Sequence, residues 1–226
     1  MLGVIVNTLT VVIGSIFGML LKKGIPERIT NELIKGIGLC TMCIGWVGTL
    51  KGENTLIMIL SMAIGIIIGE LLDLDKHLNQ FAGLIEKKWK KGNEKVSVAE
   101  GLVTASLLFC VGAMTIVGSL QAGLQGDCQM LYTKSLLDLV SSFVLASTLG
   151  IGVLFAGAFV FVFQGAIVMM AGLLAPILSD VAIAEMTCVG SLLIFALGLN
   201  LMGITKLKVM NYLPAIFIPI VLVRFM

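Results

Sequence analysis

Eight apolar runs of about 17 to 25 residues, separated by short polar or charged stretches, constrain this chain more than any motif in it. Runs of that length match the hydrocarbon thickness of a bilayer, where a helix satisfies its own backbone. They place spans near residues 2–21, 33–50, 55–73, 98–120, 130–149, 151–176, 184–203 and 208–224. With 58% hydrophobic residues, 12% charged residues and a mean hydropathy of +1.10, the chain holds more apolar surface than a water-soluble core absorbs. The first run lacks a positive n-region and ends in Lys22-Lys23, so it reads as a span rather than a cleavable signal. Pro26, Pro176, Pro214 and Pro219 fall between or near the ends of the runs, which favours continuous helices.

Charge orients these spans. With loops 1–2, 3–4, 5–6 and 7–8 on one face, twelve of the fifteen basic residues lie together; only Lys51, Lys134 and Arg224 fall elsewhere. The basic face is cytoplasmic by the positive-inside rule, so both termini are expected outside the cytoplasm. The expected organisation is a first three-span unit (1–75), a cytoplasmic linker (76–97), a central span pair (98–149) and a second three-span unit (150–226).

The chain also echoes itself. Cys40 to Leu50 (CTMCIGWVGTL) lies without a gap over Cys110 to Leu120 (CVGAMTIVGSL), and a looser copy runs from Glu185 to Lys206. Spans one to three match spans six to eight through Leu2-Gly3 with Leu149-Gly150, Glu32 with Glu185, Gly48 with Gly203 and Lys51 with Lys206. Two spans lie between the units, so the second enters from the opposite face and the repeat is inverted. Such repeats give two pseudo-equivalent conformations, one open to each side.

Several features carry structure rather than chemistry. Leu74, Leu78, Phe81, Ile85 and Trp89 recur at helical spacing among the lysines of residues 76–95, which fits a surface helix against anionic lipid headgroups or a solvated linker helix. Those lysines are already explained by topology, so no nucleic-acid partner is expected. Cys40 and Cys43 form a C-x-x-C in mid-span, but with one histidine in the chain a structural zinc site lacks ligands, and the pair reads as small packing residues. Gly14-x-x-x-Gly18, Gly48-x-x-x-Gly52 and Gly65-x-x-x-Gly69 read as close helix contacts. No nucleotide-binding loop, zinc-protease motif or nucleophile elbow appears, so an enzyme is not expected, nor a metal or cofactor.

Polar groups inside the spans are the candidate site. An ionisable side chain in hydrocarbon costs about 2.5 kcal/mol or more unless it faces protein or water. Asp138 lies mid-span, with Ser141 and Ser142 on its face and Lys134 one turn before. Lys134 either pairs with Asp138 or snorkels outward. Thr115 and Ser119 in the fourth span, Gln164 in the sixth and Asn200 in the seventh complete the set, Thr115 and Asn200 at matching repeat positions. Glu70, Glu100 and Glu185 read as markers of span ends.

The blocks GAMTIVGSLQAGLQGD (112–127), KSLLDLVSSFVLASTLGIGV (134–153) and GLNLMGITKLKVMNYLPA (198–215), with IGELLDLD (68–75), resemble domain-of-unknown-function family 554, small bacterial membrane proteins. The resemblance implies a polytopic inner-membrane protein and supplies no substrate or site. The expectation is thus an all-α polytopic transmembrane protein of about eight helices with inverted 3+3 repeats. Its expected role is secondary carriage of a small solute or ion, with Asp138 binding a cation or proton at the midplane. A membrane scaffold or regulatory subunit, or an oligomeric channel, is the alternative. A homo-oligomer stays open.

Overall fold

The computed structural model describes residues 1–22, 27–77, 79–80, 97–111 and 113–225, and among these there is no strand. The helices are α1 (Leu2–Lys22), α2 (Glu27–Thr49), α3 (Thr55–Leu72), α4 (Val98–Cys110), α5 (Ala113–Leu124), α6 (Gln129–Leu149), α7 (Ile151–Met169), α8 (Ala171–Leu174), α9 (Asp180–Leu201) and α10 (Pro219–Leu222), with a 3-10 helix over Val209–Ile216. Most of the surface helix expected over residues 76–95 lies outside the described residues.

Among the described residues, four helices are long and apolar enough to cross a bilayer: Leu2–Leu21, Thr55–Leu72, Ile151–Met169 and Asp180–Leu201. A fifth candidate is the bent pair α4–α5. The remaining long helices, α2 and α6, run 23 and 21 residues but carry more polar groups, Arg28, Asn31, Glu32 and Lys35 in the one and Lys134, Asp138 and four serines in the other.

The expectation of continuous helices is overturned in two places. The fourth span breaks between α4 and α5, which meet at 59°. There the Thr115 hydroxyl donates to the Phe109 carbonyl at 2.9 Å, so a backbone acceptor next to the break is satisfied inside the protein. The last segment is a 3-10 helix containing Pro214, followed by four α-helical residues that start at Pro219. Proline lacks an N–H and displaces the carbonyl one turn back, so a continuous α-helix through both positions is excluded.

Glycine contacts fix how the helices run. Gly3 meets Leu131, Gly14 meets Ser142 and Gly18 meets Ala146, so α1 and α6 pack in parallel. Gly38 faces Met202, Gly45 faces Phe195 and Gly52 faces Cys188, so α2 and α9 are antiparallel. Gly65 against Ala215 and Gly69 against Asn211 make α3 and the 3-10 helix antiparallel, and Gly157 on Val12 with Gly165 on Met1 does the same for α7 and α1. At Gly14, Gly18, Gly45, Gly65 and Gly69 a Cβ would collide with the partner's backbone or side chain, so a side chain there would prevent the contact. Gly203, the repeat match of Gly48, forms the turn after α9, with φ +74° and nothing within 4 Å of where a Cβ would stand.

A direct test compares two alanines. A Cβ on Gly18 would drive into the Phe143 carbonyl oxygen, whereas one on Gly36 meets nothing within 4 Å. Gly18→Ala should therefore lower stability by about 1–3 kcal/mol through overpacking, and Gly36→Ala, in the interior of α2, should leave the stability of the detergent-solubilised protein to thermal unfolding unlowered and up to about 1 kcal/mol greater.

Candidate functional site

The break in the fourth span faces the charged centre of α6. Lys134 and Asp138 are buried, at 6% and 5% exposure, and the lysine donates to the carboxylate at 2.5 Å. Their i, i+4 spacing puts them on one helix face, as the sequence requires. Lys134 does not snorkel outward; its ammonium lies 6.0 Å from the centre of the Phe109 ring, at the end of α4. Opposite charges so placed compensate each other where water cannot, which is what makes them tolerable in an apolar interior.

The pair continues into a chain of amides. The Asn7 side chain lies beside the Asp138 carboxylate and donates to Gln164 Oε1 at 3.2 Å. Asn7 and Gln164 are both fully buried, so α1, α6 and α7 meet on a polar thread. Asn7 was not among the residues expected from sequence. Its signal was the same as that of Gln164, a lone amide in an apolar run.

Lys134, Asp138, Ser141 and Thr115 line one partly open cavity of about 470 Å³, whose other walls are α2 and apolar residues of α4 and α6. Met114 and Thr115, the first turn of α5, stand in its wall. An interrupted helix thus presents the positive end of its dipole beside a buried ion pair. Cys40 lies on the same wall, and both Cys40 and Cys43 are exposed on α2 rather than packed inside, which corrects their reading as packing residues.

Other expected residues serve elsewhere. Ser142 is fully buried against Gly14 of α1, and its hydroxyl donates to the Leu139 carbonyl of its own helix at 3.0 Å. Ser119 is buried in α5, outside the cavity lining, and its hydroxyl has no partner among the described residues. Asn200 is not brought to the centre. It lies in the last turn of α9, where its oxygen accepts from Thr205 Oγ1 and the Leu207 N–H and its amide donates to the Leu207 carbonyl, pinning the following turn.

Glu185 corrects the reading of it as a hydrated span end. It is fully buried, and its Oε1 accepts from the backbone N–H groups of Glu53 and Asn54 at 2.7 and 2.8 Å. It thereby clasps the turn that starts α3, where Asn54 caps the helix by accepting from the Leu56 N–H. Glu185→Ala would leave two N–H groups without an acceptor, at about 1–3 kcal/mol each when buried, whereas Glu185→Gln keeps an acceptor oxygen. The expected result is a clear loss of thermal stability in the first and a small one in the second; equal melting would show that the clasp contributes nothing.

Helices of bilayer length, apolar outward faces and an inner polar thread define a polytopic helical membrane protein. The sequence matches the family model described as "Protein of unknown function (DUF554)" over residues 2–224. The chain belongs to this family. It is 36% identical over 227 residues to the "Uncharacterized membrane protein YdfK" of Bacillus subtilis (strain 168), covering 99% of this chain and 96% of that one. It is also 30% identical over 220 residues to the "Uncharacterized protein YqgA" of Escherichia coli (strain K12), covering 96% and 94%. No solved structure matches.

Proposed function

We propose that this protein is a secondary carrier of a small solute, which binds between α2, the α4–α5 break and α6 against Lys134 and Asp138. The observation that carries this reading is the interrupted fourth span, whose α5 end lines the same cavity as the buried ion pair. Discontinuous helices with charged partners near mid-span are the usual construction of a transport site, because the freed backbone is tolerated only where it faces protein or a water-filled cavity. Lys134 at 2.5 Å from Asp138 works against a bare metal cation there and leaves a proton or a polar solute as the carboxylate's guest.

The packing supports eight crossings and an inverted repeat. Successive crossings alternate in direction, so the first and fifth should be parallel and the pairs 1–6, 2–7 and 3–8 antiparallel. The glycine contacts of α1 with α6, α7 with α1, α2 with α9 and α3 with the 3-10 helix agree with that order. Each helix of the first unit also packs antiparallel against its own counterpart, an arrangement compatible with a two-fold axis lying in the membrane plane. The two faces differ in one respect. Glu185 clasps the turn at 53–54, while its repeat counterpart Glu32 is exposed in an ion pair with Lys35 at 2.8 Å, beside an open cleft of about 670 Å³. Such asymmetry is expected of one of two alternating states.

Solute counterflow tests the proposal. Purified protein in proteoliposomes loaded with unlabelled solute should concentrate the same labelled solute transiently. Flux without counterflow would mean a channel, and no flux across a broad solute panel would mean a scaffold.

A further inference from the structure

The cavity at the helix break holds a buried pair of opposite charges in a mostly apolar wall, and this pattern selects a ligand class. We infer that the carried solute is a zwitterion with an apolar tail, of the kind represented by an apolar α-amino acid. The inference rests on the carrier reading and specifies its substrate. A ligand with a single charge would exchange its partner with one member of the pair and leave the other uncompensated in a low-dielectric interior. A zwitterion satisfies both at once: its carboxylate goes to Lys134 and the first turn of α5 at Met114 and Thr115, and its ammonium goes to Asp138.

The rest of the cavity fits the tail. Ile37 and Ile44 of α2 face Leu137, Val140 and Leu145 of α6 across it. The volume of about 470 Å³ lies within the roughly 300–1,000 Å³ of small-molecule sites. Lys51, the one other charged side chain of the lining, is exposed and hydrated, so it does not require a second negative group on the ligand. Ser141 and Thr41 add hydroxyls on opposite walls. Two of the lining hydroxyls among the described residues, those of Thr41 and Thr115, already donate to the Ile37 and Phe109 carbonyls, which leaves fewer polar partners than a sugar would need.

The test uses the wild-type chain and three probes of matched tail. L-leucine carries both charges, isoamylamine lacks the carboxylate, and 4-methylpentanoate lacks the ammonium. Binding is measured by calorimetry on detergent-solubilised protein, and transport by counterflow in proteoliposomes. Leucine, or another apolar amino acid in a panel with alanine, valine and methionine, is expected to bind and to counterflow. Both single-charge analogues should bind at least about a hundredfold more weakly, since a site built around both groups rejects a ligand that leaves one unpaired. Equal binding by either analogue, or no binding by any apolar amino acid, would overturn the assignment. The carrier reading stands apart from these results, because access to the cavity from the two faces can be measured at Ser141 with no solute present.

Discussion

Lys134→Met alone should destabilise the protein by about 3–5 kcal/mol, the cost of breaking a buried ion pair by removing one partner. Asp138 would then be a carboxylate in an apolar interior with only the Asn7 amide against it. Removing both charges at once, as Lys134→Met with Asp138→Leu, should restore most of the loss, because a buried pair replaced by apolar groups of similar size is often neutral. Thermal unfolding of the three detergent-solubilised proteins measures this. If the single and double variants melt together, the two charges are not coupled and the site is wrongly built.

The second large effect separates stability from transport. Lys134→Gln with Asp138→Asn keeps the sizes of the side chains and a hydrogen bond between them but removes both charges. The variant should insert and melt close to the wild type, while counterflow falls to background. Asp138→Asn alone is a poorer test than the sequence implied, because Lys134 depends on that carboxylate. Flux retained by the neutral pair would make the charges structural.

How much of this could be read from the chain depends on the kind of signal. Charge in an apolar run is expensive enough to be legible, so Asp138 and Lys134 were identified with the right face and register. Segment positions followed from length and hydropathy, and residues 55–73 and 151–176 fall on α3 and on α7 with α8. The break at 110–113 was not legible, because Val111-Gly112-Ala113 is as apolar as its flanks and contains no proline. Glu185 was misplaced by one turn. Ser179 caps α9 by accepting from the Ala182 N–H, so the helix starts at Asp180 rather than near 184 and carries Glu185 inward to full burial. Asn200 failed for the opposite reason: the repeat alignment matched it to Thr115, but α9 ends at Leu201, and an amide in a last turn is drawn to the loop's backbone groups.

In a carrier, the cavity beside Asp138 opens to each side of the membrane in turn. A single cysteine at Ser141, which is exposed on the cavity wall, reports this in a chain whose five native cysteines are replaced. Membrane-impermeant maleimide is applied to oriented vesicles from either face, with a proton gradient imposed in one direction and then the other. Labelling is expected from one face under the first gradient and from the opposite face under the second. Labelling from neither face under both gradients, or from both faces at once, would contradict the carrier reading.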